Sequence, residues 1–129
     1  MARPALVFDR LGTLADPTRS RVLLLLEGTE LTVGELCQVL QLPQSTVSRH
    51  LKILADEGWV TARDSGASRH YTLVPSRLDA EAKRLWNVVR EQVSAGASAH
   101  QDARRRESVL NARRVKVQTF FRGAAPRWD

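Results

Sequence analysis

The side chains from Gln44 to Lys52 have the chemistry of a surface that contacts nucleic acid. Arg49 can donate two hydrogen bonds to guanine O6 and N7, and Gln44 can pair with adenine. Hydroxyl groups suit either a base edge or a phosphate, whereas lysine and histidine suit the sugar-phosphate backbone. We therefore assign contacts with double-stranded DNA to Gln44, Ser45, Thr46, Ser48, Arg49, His50 and Lys52.

The same segment has the pattern of one helix with two unlike faces. At about 100° per residue, Val47, Leu51 and Leu54 fall together on one side. The opposite side carries Ser45, Ser48, Arg49 and Lys52. No acidic side chain, which would repel phosphate, occurs between Gln44 and Ala55. An ordinary solvated helix face is the alternative interpretation, so the choice between it and a DNA-contacting face depends on the neighbouring elements.

A second short helix comes directly before this one. Thr32 and Glu35 have the spacing of a capping box, which predicts a helix that begins there. Leu42-Pro43 must end it, because the residue before proline avoids the helical region and proline has no amide hydrogen to donate. A new helix then begins at Gln44 or Ser45 and runs to Gly58. Two short helices joined by a tight turn form a helix-turn-helix.

After the second helix the pattern changes to short extended runs. Residues 59–62 and 70–74 are rich in aromatic and β-branched side chains, and the polar stretch 64–68 between them contains a glycine. This pattern predicts a two-stranded β-hairpin, the wing of a winged helix-turn-helix. Arg63 and Arg69 flank its turn, so we assign them to a neighbouring phosphate or minor groove.

Further helices complete a mainly α fold. A short amphipathic helix containing Phe8 and Leu11 precedes Asp16-Pro17, and that dipeptide opens the next helix. After Pro75, capped by Ser76 and Asp79, comes a helix with one long apolar stripe. Its members are Leu78, Ala82, Leu85, Val89 and Val93. The stripe is long for a domain of this size, which predicts that a partner helix covers it in a dimer. Packing onto its own domain is the alternative.

Charge and composition divide the 129 residues in two. Residues 1–97 hold 12 Lys/Arg and 11 Asp/Glu, whereas residues 98–129 hold 8 and 3. The small side chains from Ser94 to His100 predict a linker, and a basic helix should follow from Asp102 to about Gly123. We therefore expect a winged-helix and dimerisation domain in residues 1–97, then a linker and a basic C-terminal helix.

Several motifs occur in a characteristic order: LADPTR at 14–19, TVGEL at 32–36, QSTVSRHLKIL at 44–54, EGWV at 57–60 and YTL at 71–73. Together they resemble the ArsR family of winged-helix repressors over about residues 6–95. The resemblance implies a homodimer that pairs through its first helix and the helix after the wing. It also implies binding to an inverted-repeat operator and release by an effector. The implied dimer interface consists of Phe8, Leu11, Leu78, Leu85, Val89 and Val93.

The sequence departs from the metal-sensing members of that family. Their thiolate site uses paired cysteines in the third helix, but Cys37 is the only cysteine. Their other site needs carboxylates and histidines on the helix after the wing, and residues 77–97 contain no histidine. His50, His70 and His100 lack the spacing of zinc ligands. We predict no metal site and no cofactor, so the effector should be something other than a thiolate-bound metal; the sequence does not identify it, and a small molecule is one candidate.

The C-terminal stretch resembles, more weakly, the connector to an S-adenosylmethionine-dependent methyltransferase domain in some ArsR-like proteins. That likeness rests on the Arg-rich helix, Phe120-Phe121, Ala124-Ala125 and Trp128-Asp129. The chain has no Gly-rich strand-to-helix loop, so we expect no catalysis. A regulatory module of a methyltransferase and a winged helix that binds protein are the alternatives to an autonomous repressor.

The remaining features favour the reducing cytoplasm. One cysteine cannot form an internal disulfide, and the longest aliphatic run, Val22 to Leu26, is far shorter than a membrane span. Cys37 is more simply a small apolar residue than a redox switch. Trp86 and Trp128 are expected to pack rather than to form a ligand cage.

Overall fold

The computed structural model describes residues 4–124, which form six α-helices, a three-stranded antiparallel sheet and one 3-10 turn. In chain order the elements are α1 (Pro4–Leu14), α2 (Pro17–Leu26), β1 (Leu31–Thr32), α3 (Val33–Leu40), α4 (Gln44–Asp56), β2 (Thr61–Ser65), β3 (Ser68–Thr72), the 3-10 turn (Pro75–Arg77), α5 (Ala80–Ser94) and α6 (Ala97–Ala124). The strand order in the sheet is β1-β3-β2.

Helix α2 forms the centre of the core, because apolar side chains cover most of its circumference. Val22, Leu23 and Leu26 are fully buried, and α1, α4, α5 and α6 all contact α2. The helix begins at Asp16, whose carboxylate accepts hydrogen bonds from two amides of the first turn. Gly28 follows its end with a positive φ of 72°, which glycine adopts without strain. Both predicted ends of α2 are confirmed.

Helices α3 and α4 form the predicted helix-turn-helix. The amide of Glu35 donates to Oγ1 of Thr32 at 3.2 Å, and the amide of Thr32 donates to Oε1 of Glu35 at 3.0 Å. This is the capping box that the spacing predicted. Gln41 ends α3 in the left-handed conformation, and Pro43 precedes α4 in an extended one. Helix α4 ends two residues before Gly58, whose φ of 81° is typical of a residue just beyond a helix.

The wing differs from its prediction in position and in strand number. Strands β2 and β3 pair up to a two-residue turn, so they reach further toward the tip than predicted. Trp59 and Val60, predicted as strand residues, are buried in the core and precede β2. A third strand, β1, pairs with β3 through Leu31 and Tyr71. Strand β1 was not predicted, because two residues are too few to show an alternating pattern.

Helix α5 turns most of its apolar stripe toward its own protomer. Asp79 caps the helix by accepting a hydrogen bond from the amide of Ala82 at 2.8 Å, whereas Ser76, predicted to share this role, lies in the 3-10 turn. Trp86 is 1% exposed, which confirms that it packs in the core. Leu85 and Val89 are half-buried against the same core. Packing of the stripe onto its own domain, the alternative to a dimer interface, therefore accounts for most of these residues.

The predicted linker is wrong. Only Ala95 and Gly96 separate α5 from α6, and α6 continues for 28 residues, about 42 Å at 1.5 Å per residue. It packs against α2 and α3. Arg21 donates from Nε and Nη2 to the two carboxylate oxygens of Asp102, at 2.8 and 2.9 Å. Small residues predicted a linker, but Ala99 is buried in α6, and the ion pair between Arg21 and Asp102 joins the helix to α2.

Replacing Asp102 with asparagine is expected to lower the free energy of unfolding by about 3 kcal/mol, because the Arg21 guanidinium would lose its buried counter-charge. Asp102 has a side-chain exposure of only 3%. Chemical denaturation followed by circular dichroism measures the change. The matched control is Asp64→Asn in the wing, where the side chain is 81% exposed and the change should stay within about 0.5 kcal/mol. Equal effects in both variants would contradict the prediction.

Candidate nucleic-acid interface

The burial of one face of α4 determines which side chains point outward. Val47, Leu51 and Leu54 are at most 1% exposed and belong to the core that α2 and α3 share. The opposite face leaves four predicted contact residues exposed and two half-buried. The exposed residues are Gln44, Ser45, Arg49 and Lys52, and the half-buried ones are Thr46 and Ser48. The predicted division of this helix into two faces is confirmed.

The N-terminus of α4 is suited to anions. Pro43 occupies the N-cap position and supplies no side-chain hydrogen bond, and the first turn contains no acidic residue. Free amide groups and the helix dipole both favour negative charge at such an end. Gln44 and Ser45 lie there, so a phosphate could receive main-chain and side-chain hydrogen bonds together.

Helix α4 and the wing share a concave surface. A cavity of about 310 Å³ is bordered by Ser48, Lys52 and Asp56 of α4 and by Arg69 and Tyr71 of β3. The Arg69 guanidinium carbon lies 5.9 Å from the centre of the Tyr71 ring, a cation–π distance. Lys52 Nζ is 3.1 Å from Oδ2 of Asp56, so one acidic group lies at the far end of this surface.

Tyr71 was not among the predicted contact residues, although its spacing from Arg69 in the sequence points to a shared position. Residues two apart in a strand point to the same side, so Tyr71 shares a face with Arg69. The ring supports the guanidinium beside α4.

The two wing arginines lie on opposite faces of the hairpin. Arg63 is directly across from His70, and Arg69 is directly across from Asp64, so the alternation of strand side chains separates them. Arg63 donates from Nη2 and Nε to the Glu30 carboxylate at 2.9 and 3.0 Å. That hydrogen bond lowers the pKa of Glu30. The prediction grouped both arginines beside the turn, but the structure brings only Arg69 next to α4.

His50 is misassigned among the predicted DNA contacts, because it is buried. The residue is 6% exposed, and Nδ1 lies 3.4 Å from Nη1 of Arg19. On the helical wheel His50 falls beside Leu54, on the apolar side of α4. Burial lowers the pKa of His50; the nearby Asp16 carboxylate opposes this shift, while Arg19 and Arg49 add to it.

The predicted dimer residues divide into two groups. Phe8 is 71% exposed and Leu11 is 45% exposed on α1, which leaves both free to meet a partner. Leu78, Leu85 and Val89 pack against their own core, and Val93 is half-buried. Val88, which lay outside the predicted stripe, is 66% exposed on α5.

The groups considered for metal binding lie apart. Within residues 4–124, no three His, Cys, Asp or Glu side chains come together in an arrangement that could hold a metal ion. Cys37 is half-buried, has a free thiol and packs against the core. Trp128 lies outside the described residues. Across the same described range, none of the helices has the length and apolar character needed to span a membrane.

Solved structures place this fold among winged helix-turn-helix transcription regulators. The structure of reduced HlyU from Vibrio cholerae N16961 matches with a TM-score of 0.58 and 32% identity, covering 68% of this chain and 88% of that chain. The transcriptional repressor BigR from Xylella fastidiosa matches with a TM-score of 0.57 and 31% identity, covering 69% and 84% of the two chains.

The family follows from sequence. Residues 16–62 match the model of the bacterial regulatory protein, arsR family. The arsenical resistance operon repressor of Escherichia coli K12 is 39% identical over 87 residues, which cover 64% of this chain and 74% of that repressor. The chain belongs to the ArsR family and is a DNA-binding transcription regulator.

The buried His50 should make folding stability depend on pH. Its pKa is lower in the folded state than the usual value of about 6.5, so the unfolded chain binds more protons as the pH falls. The stabilisation is fully present above about pH 6.5 and is lost as the pH falls from there through the folded pKa. Denaturant unfolding at pH 7.5, 6.5 and 5.5 should show a shallower loss for His50→Gln than for the unchanged chain.

The exposed His100 supplies the control for this experiment. His100→Gln should preserve the pH dependence of the unchanged chain. Identical slopes for His50→Gln and the unchanged chain would contradict the assignment.

Proposed function

We propose that this regulator is a homodimeric repressor that reads an inverted-repeat operator with α4 and leaves it when a small effector binds. One observation supports this most directly: an exposed row of amide, hydroxyl and cationic groups on a helix whose other face is fixed in the core. Ser45, Arg49 and Lys52 form the centre of that row. A rigid helix of this kind fits the major groove.

Arg49 carries the main share of sequence recognition in this proposal. It is exposed, and within the described part of the chain it forms no ion pair. Its guanidinium therefore gives up no internal partner when it binds guanine O6 and N7, and Gln44 adds a contact with adenine. Ser45, Thr46 and Ser48 supply hydroxyl contacts from the same turns.

Lys52 and Arg69 set the position of the protein on the duplex. They border the same concave surface, where a phosphate could lie between α4 and the wing. The Arg69 side chain is 62% exposed, and its Nε lies 3.8 Å from Oδ1 of Asp64. This is a weak surface ion pair that a DNA phosphate could replace. Arg63 must first leave Glu30, so its phosphate contact contributes less.

Pairing through α1 and α5 supplies the second recognition helix. The exposed Phe8, Leu11 and Val88 would then be covered by the partner, which removes apolar surface from water. Two α4 helices related by a two-fold axis reach half-sites about 34 Å apart. A symmetric dimer therefore matches an inverted repeat.

Repression requires occupancy of the operator and no chemical step, so the proposal assigns no catalytic residue. The relatives from E. coli and X. fastidiosa are named repressors, whereas HlyU of V. cholerae is named a transcriptional activator. Bound sequences can be selected from a random DNA pool, and the operator can then be located relative to the promoter. Its position distinguishes repression from activation.

Arg49→Ala and Lys52→Ala should weaken DNA binding in different ways. Loss of Arg49 is expected to cost about 1–3 kcal/mol on the selected operator and little on unrelated DNA, because base recognition is lost. Loss of Lys52 should weaken both and lower the salt slope by about one. Fluorescence anisotropy at several salt concentrations measures both effects. Lys83→Ala on the exposed side of α5 is the matched control, and operator affinity that survives both α4 variants would refute the assignment.

Phe8→Ser is expected to shift the dimer toward monomer, since a polar side chain replaces an apolar ring at the interface. Sedimentation velocity at micromolar concentrations measures the shift. Binding to the full operator should fall more than binding to a single half-site. Val115→Ser, also at an exposed apolar position, is the control on α6 and should leave the dimer intact. A Phe8→Ser variant that stays fully dimeric would exclude α1 from the interface.

A further inference from the structure

A cavity outside the DNA-contacting surface lies where α2, α5 and α6 meet. Its volume is about 230 Å³. Arg21, Arg90 and Arg106 line it from three helices, and Leu24, Ala99 and Ala103 form an apolar part of the wall. Helices α5 and α6 lie outside residues 16–62, the stretch that matches the family model. This cavity therefore depends on parts of the chain beyond that shared segment.

The arginines outnumber the carboxylates around the cavity. Asp102 accepts both of its hydrogen bonds from Arg21, and Nε of Arg90 donates to Glu27 at 2.7 Å. Arg106 donates from Nη1 to a main-chain oxygen, that of Leu25, at 3.1 Å. Its Nε is buried and has no hydrogen-bond partner within the described residues. One guanidinium thus lacks a counter-charge, and a half-buried cation of this kind favours an anion beside it.

Size and lining restrict the class of anion. The volume is below the 300 to 1,000 Å³ typical of sites for drug-sized ligands, which indicates a small molecule. Leu24, Ala99 and Ala103 offer no hydrogen bonds from their side chains, so they suit an apolar body next to the charged group. We propose that this cavity is the effector site, an inference that rests on the proposed function, and that it binds a small organic carboxylate through Arg106, the lining arginine that forms no ion pair within the described residues.

The cavity is directly connected to the base of the wing. Arg106 donates a hydrogen bond to the carbonyl oxygen of Leu25. The carbonyl oxygen of the next residue, Leu26, accepts hydrogen bonds from the last residue of β3 and from the residue that follows it. The donors are the amide of Leu73 at 2.9 Å and Oγ1 of Thr72 at 3.1 Å. A ligand that draws Arg106 away from Leu25 acts on the end of α2 where the wing is anchored. The wing positions Arg69 beside α4.

Binding is tested on the full chain without DNA. Isothermal titration calorimetry with benzoate and with 4-methylpentanoate is expected to show saturable binding, and benzamide, of similar shape but neutral, should bind at least about tenfold more weakly. Arg106→Gln should weaken benzoate binding by about tenfold or more, because a charged hydrogen bond is lost. Ala103→Leu fills the cavity without a change of charge and should abolish benzoate binding. Arg84→Gln, at an exposed position of α5 away from the cavity, should have no effect.

The second measurement is operator affinity at saturating benzoate. We expect a loss of about fivefold or more for the unchanged chain and for Arg84→Gln, and no loss for Ala103→Leu. Absence of binding by both carboxylates, or equal binding of benzamide, overturns the site. Binding that leaves operator affinity unchanged overturns the effector role. A chain that binds benzoate but no DNA would instead refute the proposed function, so the two failures are distinguishable.

Discussion

The structure depends on the burial of one face of α4. Val47, Leu51 and Leu54 are removed from water against α2 and α3, and burial of each such side chain contributes roughly 1.5–3 kcal/mol. Rotating the helix would expose all three, so its polar face is held outward and the side chains on that face have fixed directions. The same constraint takes His50 into the interior beside Arg19. The outward polar surface and the buried position of His50 thus both arise from the packing of α4 against α2 and α3.

Ion pairs link the peripheral elements to that centre. Arg113 of α6 donates from Nη2 to Glu35 at 2.6 Å and to the carbonyl oxygen of Glu30 at 3.2 Å, and the Glu30 carboxylate binds Arg63 of the wing. Burial opposes ionisation of Glu35, but the Arg113 hydrogen bond holds its pKa below the ordinary value. Helix α6, helix α3 and the wing are therefore connected through the carboxylate of Glu35 and through the main-chain oxygen and carboxylate of Glu30.

The elements that present the polar face of α4 and the elements that form the arginine-lined cavity occupy different parts of the chain. The segment that matches the ArsR family contains α2, α3 and α4, which present the polar face. The arginine-lined cavity adds α5 and α6 to α2. Within the described residues the His, Cys, Asp and Glu side chains do not cluster as metal ligands would. Under our proposal, the polar face of α4 contacts DNA, while the cavity that α5 and α6 form with α2 binds the effector.

Local signals in the sequence determined the helix-turn-helix, the capped starts of α2, α3 and α5, and the two faces of α4, because caps, proline and apolar periodicity act over a few residues. Tertiary structure decided the rest. The two-residue strand β1 exists only because β3 lies beside it, and α6 is continuous with the domain because Asp102 meets Arg21 from 81 residues away. Arg63 and Arg69 look alike in the sequence but face opposite sides of the sheet, since register is set by strand pairing. Contacts between distant residues have no local pattern, so only the folded chain could reveal them.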